Sequence, residues 1–197
     1  MTPDLPALFD FIKFSAQLRE ISRNNNATAA RKESVAEHSW HLALMAWVLH
    51  SAFEQEFGVS ISQERIIKLC LMHDLVEIVV GDVSAWKPEA RAAAANQEEA
   101  AAQGIFGRLP DALRDEMLGL WHEFENGATL EGKIARGIDR INPALMRMLT
   151  GQGWSDVNGD VSRLDTLQLP RLEFSTTFME LYESIKAESV ASGLLKP

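Results

Sequence analysis

His73 and Asp74 stand side by side in an apolar stretch, after Leu71 and Met72 and before Leu75 and Val76. A neutral imidazole and a carboxylate are both good ligands for a divalent metal, and an ionised aspartate in apolar surroundings is costly unless a cation or hydrogen bonds compensate it. Alone, the dipeptide also fits a core histidine beside a helix-end aspartate, a combination common by chance. Glu77 adds weight, because it follows His73 by four residues and Asp74 by three. In a helix its carboxyl shares their face, which brings a general acid or base within reach. Asp82 follows Gly81, where glycine permits a turn that could aim a carboxylate back into the same cleft. Glu77 as a solvated helix residue and Asp82 as a turn former are the alternatives.

Helices must position these groups. Apolar spacing of three and four residues dominates the chain, and Val/Ile/Thr alternation of the strand kind is nearly absent, so the expected fold class is all-α. The pattern predicts helices over about 6–21, 34–57, 62–80, 88–109, 110–125, 130–149 and 175–191, with loops at 22–33 and 150–160. Ser34 with Glu37 forms a capping-box pair and Gly58 a stop, while Ser62 caps the helix that carries His73. Apolar residues from Leu42 to Leu49 cover nearly every face, which predicts a central helix, with Trp40, Trp47 and Trp121 in the core. Pro143 should kink or open the helix around it. Trp86 and Trp154 belong to loops flanking the cleft, where each could close over a nucleobase or simply anchor its loop. With no internal repeat and no linker, residues 1–197 read as one domain.

Composition narrows the function classes. At 46% hydrophobic and 24% charged residues the chain has ordinary globular composition, and its longest apolar run falls far short of the roughly 20 residues that span a bilayer. Asp4, Asp10 and Lys13 interrupt the N-terminal apolar residues, unlike a secretory leader. Cys70 is the only cysteine, which excludes an internal disulfide and a thiolate zinc site and suits a cytoplasmic compartment. A formal net charge of −9 argues against nucleic-acid or anionic-lipid binding, since both need a positive surface. A phosphate must therefore be caught locally. Arg23, Arg31 and Lys32 lie in the loop before His38 and could meet one, although loops also collect solvated basic residues. His41, three residues after His38, reads as a packing residue or a support for His38 rather than a ligand, and His50 and His122 read as structural or surface residues.

Two further phrases complete the pattern: Glu33-Ser34-Val35-Ala36-Glu37-His38-Ser39-Trp40-His41, and Gly137-Ile138-Asp139-Arg140-Ile141-Asn142 on a much later helix. One histidine, then His-Asp with a glutamate and Gly-Asp behind it, then a distant helical aspartate: over roughly residues 8–155 this order resembles the HD superfamily of metal-dependent phosphohydrolases, most closely its bacterial 5′-deoxynucleotidase branch and small relatives. The resemblance implies an HD-type bundle of six or more helices, with His38, His73, Asp74 and Asp139 as metal ligands, Glu77 as acid/base and Asp82 as a substrate-side contact. It also implies hydrolysis of a nucleoside 5′-monophosphate, and similar enzymes are often homodimers, for which the apolar faces of the terminal helices would serve. A site with two histidines, two carboxylates and no thiolate suits Mn, Co, Ni, Fe or Mg ions. Arg23 falls where those enzymes carry a substrate-binding arginine. The chain departs at the next position, with Asn24 in place of their tryptophan, which bears on selection for deoxyribose over ribose.

Overall fold

Ser34 starts the central helix as its sequence demands. Its hydroxyl accepts from the Glu37 amide while the Glu37 carboxylate accepts from the Ser34 amide, and Gly58 ends the helix in the left-handed conformation at φ +65°. The computed structural model describes residues 4–82, 88–155 and 159–197, with the side chains of 88–95 outside that description. Its helices are α1 (Leu5–Ser15), α2 (Val35–Phe57), α3 (Gln63–Met72), α4 (Glu77–Val80), α5 (Pro88–Phe106), α6 (Asp111–Asn126), α7 (Leu130–Thr150), α8 (Val161–Leu172) and α9 (Thr176–Ala191). Helices α2, α3 and α7 pack on one another, and α6 and α9 close around them. The buried side chains of Leu42, Phe53, Ile66, Leu69, Ile134, Ile138 and Phe178 fill the space between. The expected all-α bundle is the fold present.

Several expectations need correction. The first helix ends at Ser15 and tightens into a 3₁₀ turn over Ala16–Glu20. Residues 22–33 are not a loop: β1 (Ser22–Thr28) and β2 (Arg31–Ser34) form an irregular antiparallel hairpin. The β1 sequence, Ser-Arg-Asn-Asn-Asn-Ala-Thr, has little strand propensity, so tertiary contacts must hold it. Buried Asn25 supplies one, accepting at 3.0 Å from Arg147 of α7, whose guanidinium also lies 5.5 Å from the ring centroid of Trp154. Trp154 is thus a buried anchor, while Trp86 lies outside the described residues.

Helix α2 is central on one side only. Leu42, Ala46 and Phe53 are buried, whereas Trp40 and Trp47 are 63% and 64% exposed, with Leu44 and Val48 also exposed beside them. Apolar composition on every face therefore did not mean burial on every face. Trp121 is in the core as expected. Helix α8 was not anticipated. Asp160 caps it, and Leu164, Gln168 and Leu172 turn inward at four-residue spacing, a pattern obscured by intervening polar residues and Pro170.

Helix α7 runs unbroken past Gly137 and Pro143. A Cβ at Gly137 would collide with the ring of Phe178, so the glycine is what lets α9 approach α7. Among the described residues, no helix is long and apolar enough to cross a membrane.

Candidate metal centre

The helix expected over 62–80 is interrupted where its chemistry lies. Met72 ends α3, His73–Val76 form a 3₁₀ turn, and α4 begins at Glu77. A 3₁₀ insert within a helix commonly marks a functional position. Here the His73 imidazole bonds through Nδ1 to the Cys70 carbonyl at 2.9 Å, competing with the backbone for that acceptor. Nδ1 must be the donor in that contact, so a neutral His73 carries its lone pair on Nε2.

That lone pair faces oxygens. Nε2 of His73 is 3.1 Å from Asp74 Oδ1 and 3.9 Å from Asp139 Oδ1, is buried, and has no hydrogen-bond partner among the described residues. His38 arrives from α2 and is fully buried. Its Nε2 lies 3.0 Å from Asp139 Oδ1 and 3.8 Å from Asp74 Oδ2, and its Nδ1 lies 3.1 Å from Asn142 Oδ1. One ligand atom from each of His38, His73 and Asp74 falls within 4.8 Å of the others. Two imidazoles and two carboxylates thus converge with too few protons to join them, and a divalent cation fits that deficit.

Charge follows the same geometry. Burial lowers the His38 pKa and nearby Arg23 lowers it further, which keeps the ring neutral. For His73 burial works downward too, but the Asp74 and Asp139 carboxylates outweigh it and raise the pKa. Burial alone would raise Asp74 and Asp139. Instead His73 and Arg23 hold Asp74 down at about 2, and His38 with His73 holds Asp139 below the usual carboxylate range. The site attracts positive charge, whether proton or metal.

Glu77 differs from its neighbours. It is buried, its Oε2 has no hydrogen-bond partner among the described residues, and burial together with the Asp74 charge pushes it up to about 10. It holds a proton near neutrality. Arg23 reaches the cluster from β1, donating to Asp74 Oδ2 at 2.9 Å and lying 3.8 Å from Asp82 Oδ1. Asp82 also accepts from the Asn24 amide at 3.2 Å, so it ties the hairpin to the end of α4. The Nε of Arg23 lies 3.5 Å from Glu33, a buried carboxyl pushed up to about 7, first by its burial.

Arg31 and Lys32 are placed elsewhere. Arg31 forms a bidentate pair with Glu37 at 2.9 and 2.6 Å, and Lys32 donates to the Asn24 carbonyl. Of the three basic residues singled out before His38, Arg23 alone contacts the cluster. His50 bonds to the Ile61 carbonyl and His122 to Glu99, both structural or surface roles as expected. Glu33 and Asn142 carried no expectation, although both lie in the phrases that frame His38 and Asp139. The spacing that could have exposed Asn142 is its three-residue offset from Asp139, matching the offset of His41 from His38.

Asp139 also borders a cleft of about 300 Å³ lined by Lys133, Arg136 and Arg140 of α7, Arg171 of α8, and Phe124 and Phe174. Its cationic lining stands against the net charge of −9 for the whole chain. Phe124, in the same lining, packs its ring 4.5 Å from the ring of His73.

Comparison with known proteins bears on the family and the fold. The model of the HD domain family matches residues 15–175. The chain is 28% identical over 159 residues to the 5′-deoxynucleotidase HDDC2 of Danio rerio, covering 80% of this chain and 74% of that protein. A crystal structure of a predicted metal-dependent phosphohydrolase from Magnetospirillum magnetotacticum MS-1 superposes with a TM-score of 0.84 at 32% identity, covering 98% of both chains. An HD-domain phosphohydrolase from Listeria innocua shares the fold at 20% identity and a TM-score of 0.64, over 94% of this chain and 86% of that one.

Proposed function

This chain belongs to the HD domain family, and from that premise we propose that it is a metal-dependent phosphohydrolase that releases phosphate from nucleoside 5′-monophosphates. The observation that carries the reading is the buried His73 Nε2, without a hydrogen-bond partner among the described residues and turned toward the carboxylates of Asp74 and Asp139. In this reading His38, His73, Asp74 and Asp139 hold a divalent ion such as Mn, Co, Ni, Fe or Mg. When bound, the ion supplies Lewis-acid polarisation of the phosphoryl group and offsets the negative charge that develops on it.

The chain's own residues do the rest. Arg23 exchanges part of its contact with Asp74 for a phosphate oxygen, and Glu33 and Asp82 keep its guanidinium aimed at the site. Water attacks phosphorus as the bond to the 5′-oxygen breaks. Glu77 passes a proton to the leaving alkoxide and accepts one from the water, so no net charge is left on the enzyme. The substrate-side role of Asp82 is to hold Asn24, and with it the hairpin that carries Arg23, against the metal cluster.

The nucleotide assignment is supported by the deoxynucleotidase HDDC2 relative and by the basic cleft beside Asp139, which suits an anionic substrate. Asn24 is exposed, its amide held by Asp82 and its carbonyl by Lys32, and its side chain does not supply the aromatic face of a tryptophan. Turnover of both ribose and deoxyribose nucleotides follows. The reading includes one domain over 1–197, cytoplasmic localisation, supported by the buried free thiol of Cys70, and a homodimer, supported by exposed Leu5, Phe9 and Ile12 on α1.

The test is phosphate release from deoxyribonucleoside and ribonucleoside monophosphates by chelator-stripped protein resupplied with single divalent ions. Metal-restored turnover of both sugars is expected. Silence with every ion, in folded protein that binds the ion, would move the activity to another phosphoester.

A further inference from the structure

Asn142 lies between two histidines on the far side of the metal cluster, and every polar hydrogen it can share is directed. It is completely buried. Its Oδ1 is 3.1 Å from His38 Nδ1, and its Nδ2 is 2.8 Å from His41 Nδ1 and 3.5 Å from Met45 Sδ. The residues come as two matched pairs, His38 and His41 one turn apart on α2, Asp139 and Asn142 one turn apart on α7. The first member of each pair faces the metal cluster, and the second members meet behind it.

The amide can sit in one of two ways, and each dictates a different His38. With Oδ1 toward His38, as found, a neutral His38 donates from Nδ1, which leaves its Nε2 lone pair 3.0 Å from Asp139 Oδ1, a contact that a cation between them satisfies. Reversed, the amide would donate to His38 Nδ1, placing the ring proton on Nε2 where it would bond to Asp139 and block a metal. Two contacts favour the first arrangement. His41 Nδ1 accepts one amide hydrogen and the Met45 sulfur lies where the other points, whereas the reversed amide would turn its oxygen toward sulfur. Burial lowers the His41 pKa, which keeps its ring neutral and able to accept.

We propose that His41 and Asn142 form an orienting relay that fixes His38 as the Nδ1–H tautomer and reserves its Nε2 lone pair for the divalent ion. This rests on the metal-centre reading above and extends it to two residues that touch neither metal nor substrate. Neither is a catalytic residue; both position one. Partners of this kind behind a metal-bound histidine commonly contribute about 10- to 100-fold in metal affinity.

The test separates the relay from the metal. Nitrogen-15 NMR of the histidine rings in chelator-stripped protein, at a pH well above the histidine range, reads the His38 tautomer without any ion present. Wild type should show Nδ1–H at His38, and Asn142→Leu should shift the proton toward Nε2. Calorimetric titration of Mn²⁺ should then show affinity about 10- to 100-fold weaker in Asn142→Leu. Asn142→Asp keeps an acceptor for His38, with the His41 ring free to turn donor, and should bind within a few-fold of wild type. His41→Phe, at a partly exposed position that tolerates an aromatic ring, should give a mixture of tautomers and intermediate affinity even if Asn142→Leu does not fold. An Nε2–H tautomer at His38 in wild type would overturn the relay, as would His41→Phe or folded Asn142→Leu binding Mn²⁺ like wild type. Wild type that binds no ion while showing the Nδ1–H tautomer would instead remove the metal-centre reading and leave the relay standing.

Discussion

Two buried glutamates, Glu77 and Glu123, lie in the same helical frame and behave in opposite ways. Glu123 accepts from the Arg65 guanidinium on both oxygens and from the Thr129 hydroxyl, and despite its burial those bonds hold its carboxyl below the usual glutamate range. Glu77 has one oxygen with no partner among the described residues, and burial beside Asp74 drives it up to about 10. Burial is common to both, so what separates a structural carboxylate from a chemical one is how completely its neighbours satisfy it. His73 repeats the lesson within one ring: Nδ1 is satisfied by a backbone carbonyl while Nε2 is left over.

That contrast can be broken by substitution. Asp74→Ala should remove bound metal and lower phosphate release by about 10³-fold or more, since Lewis-acid stabilisation is worth several kcal/mol. Glu77→Gln should lower turnover by about 10²- to 10⁴-fold with metal content unchanged, read by elemental analysis beside the rate. Glu123→Ala should do the reverse. It leaves Thr129 and a half-exposed Arg65 without their acceptor, costing about 1–3 kcal/mol in urea denaturation with turnover per folded molecule unchanged. Loss of turnover in Glu123→Ala, at full folding, would erase the distinction.

Two further effects sharpen it. Gly137→Ala forces a methyl group into the Phe178 ring and should cost about 1–3 kcal/mol, a packing penalty on the helix that carries Asp139. The pH dependence of Glu123 is the smallest. Its folded pKa lies below its unfolded value, so its contribution is fully present above the unfolded pKa and fades as pH falls through that value toward the folded one. Wild type and Glu123→Gln should therefore converge in stability on acidification, and a constant gap would contradict the assignment.

The sequence carried the helical frame because caps and stops are local. Ser34 with Glu37, Gly58, Ser62 and Ser175 act within one turn of where they stand. It did not carry the hairpin, whose polar residues are held by Arg147 and Asp82 far along the chain, nor the 3₁₀ turn at His73, which depends on a side chain taking a backbone acceptor. Of the site, residue type and spacing marked His73, Asp74 and Glu77, and the resemblance to the HD superfamily marked His38 and Asp139. Arg31 and Lys32 shared with Arg23 only their nearness in sequence. The irregular hairpin turns Arg23 and Glu33 inward, and leaves Arg31 and Lys32 exposed. Glu33 and Asn142 stayed hidden because a buried polar group declares itself only through partners brought from other elements.

The central claim is that the unsatisfied atoms around His73 mark a metal-dependent phosphohydrolase centre. The most direct measurement is phosphate release from 2′-deoxyadenosine 5′-monophosphate by chelator-stripped protein, before and after addition of Mn²⁺, in wild type and Asp74→Ala. Wild type should be silent when stripped and active once Mn²⁺ is restored, and Asp74→Ala should stay silent throughout. Turnover that survives stripping, or that survives in Asp74→Ala, would contradict the account.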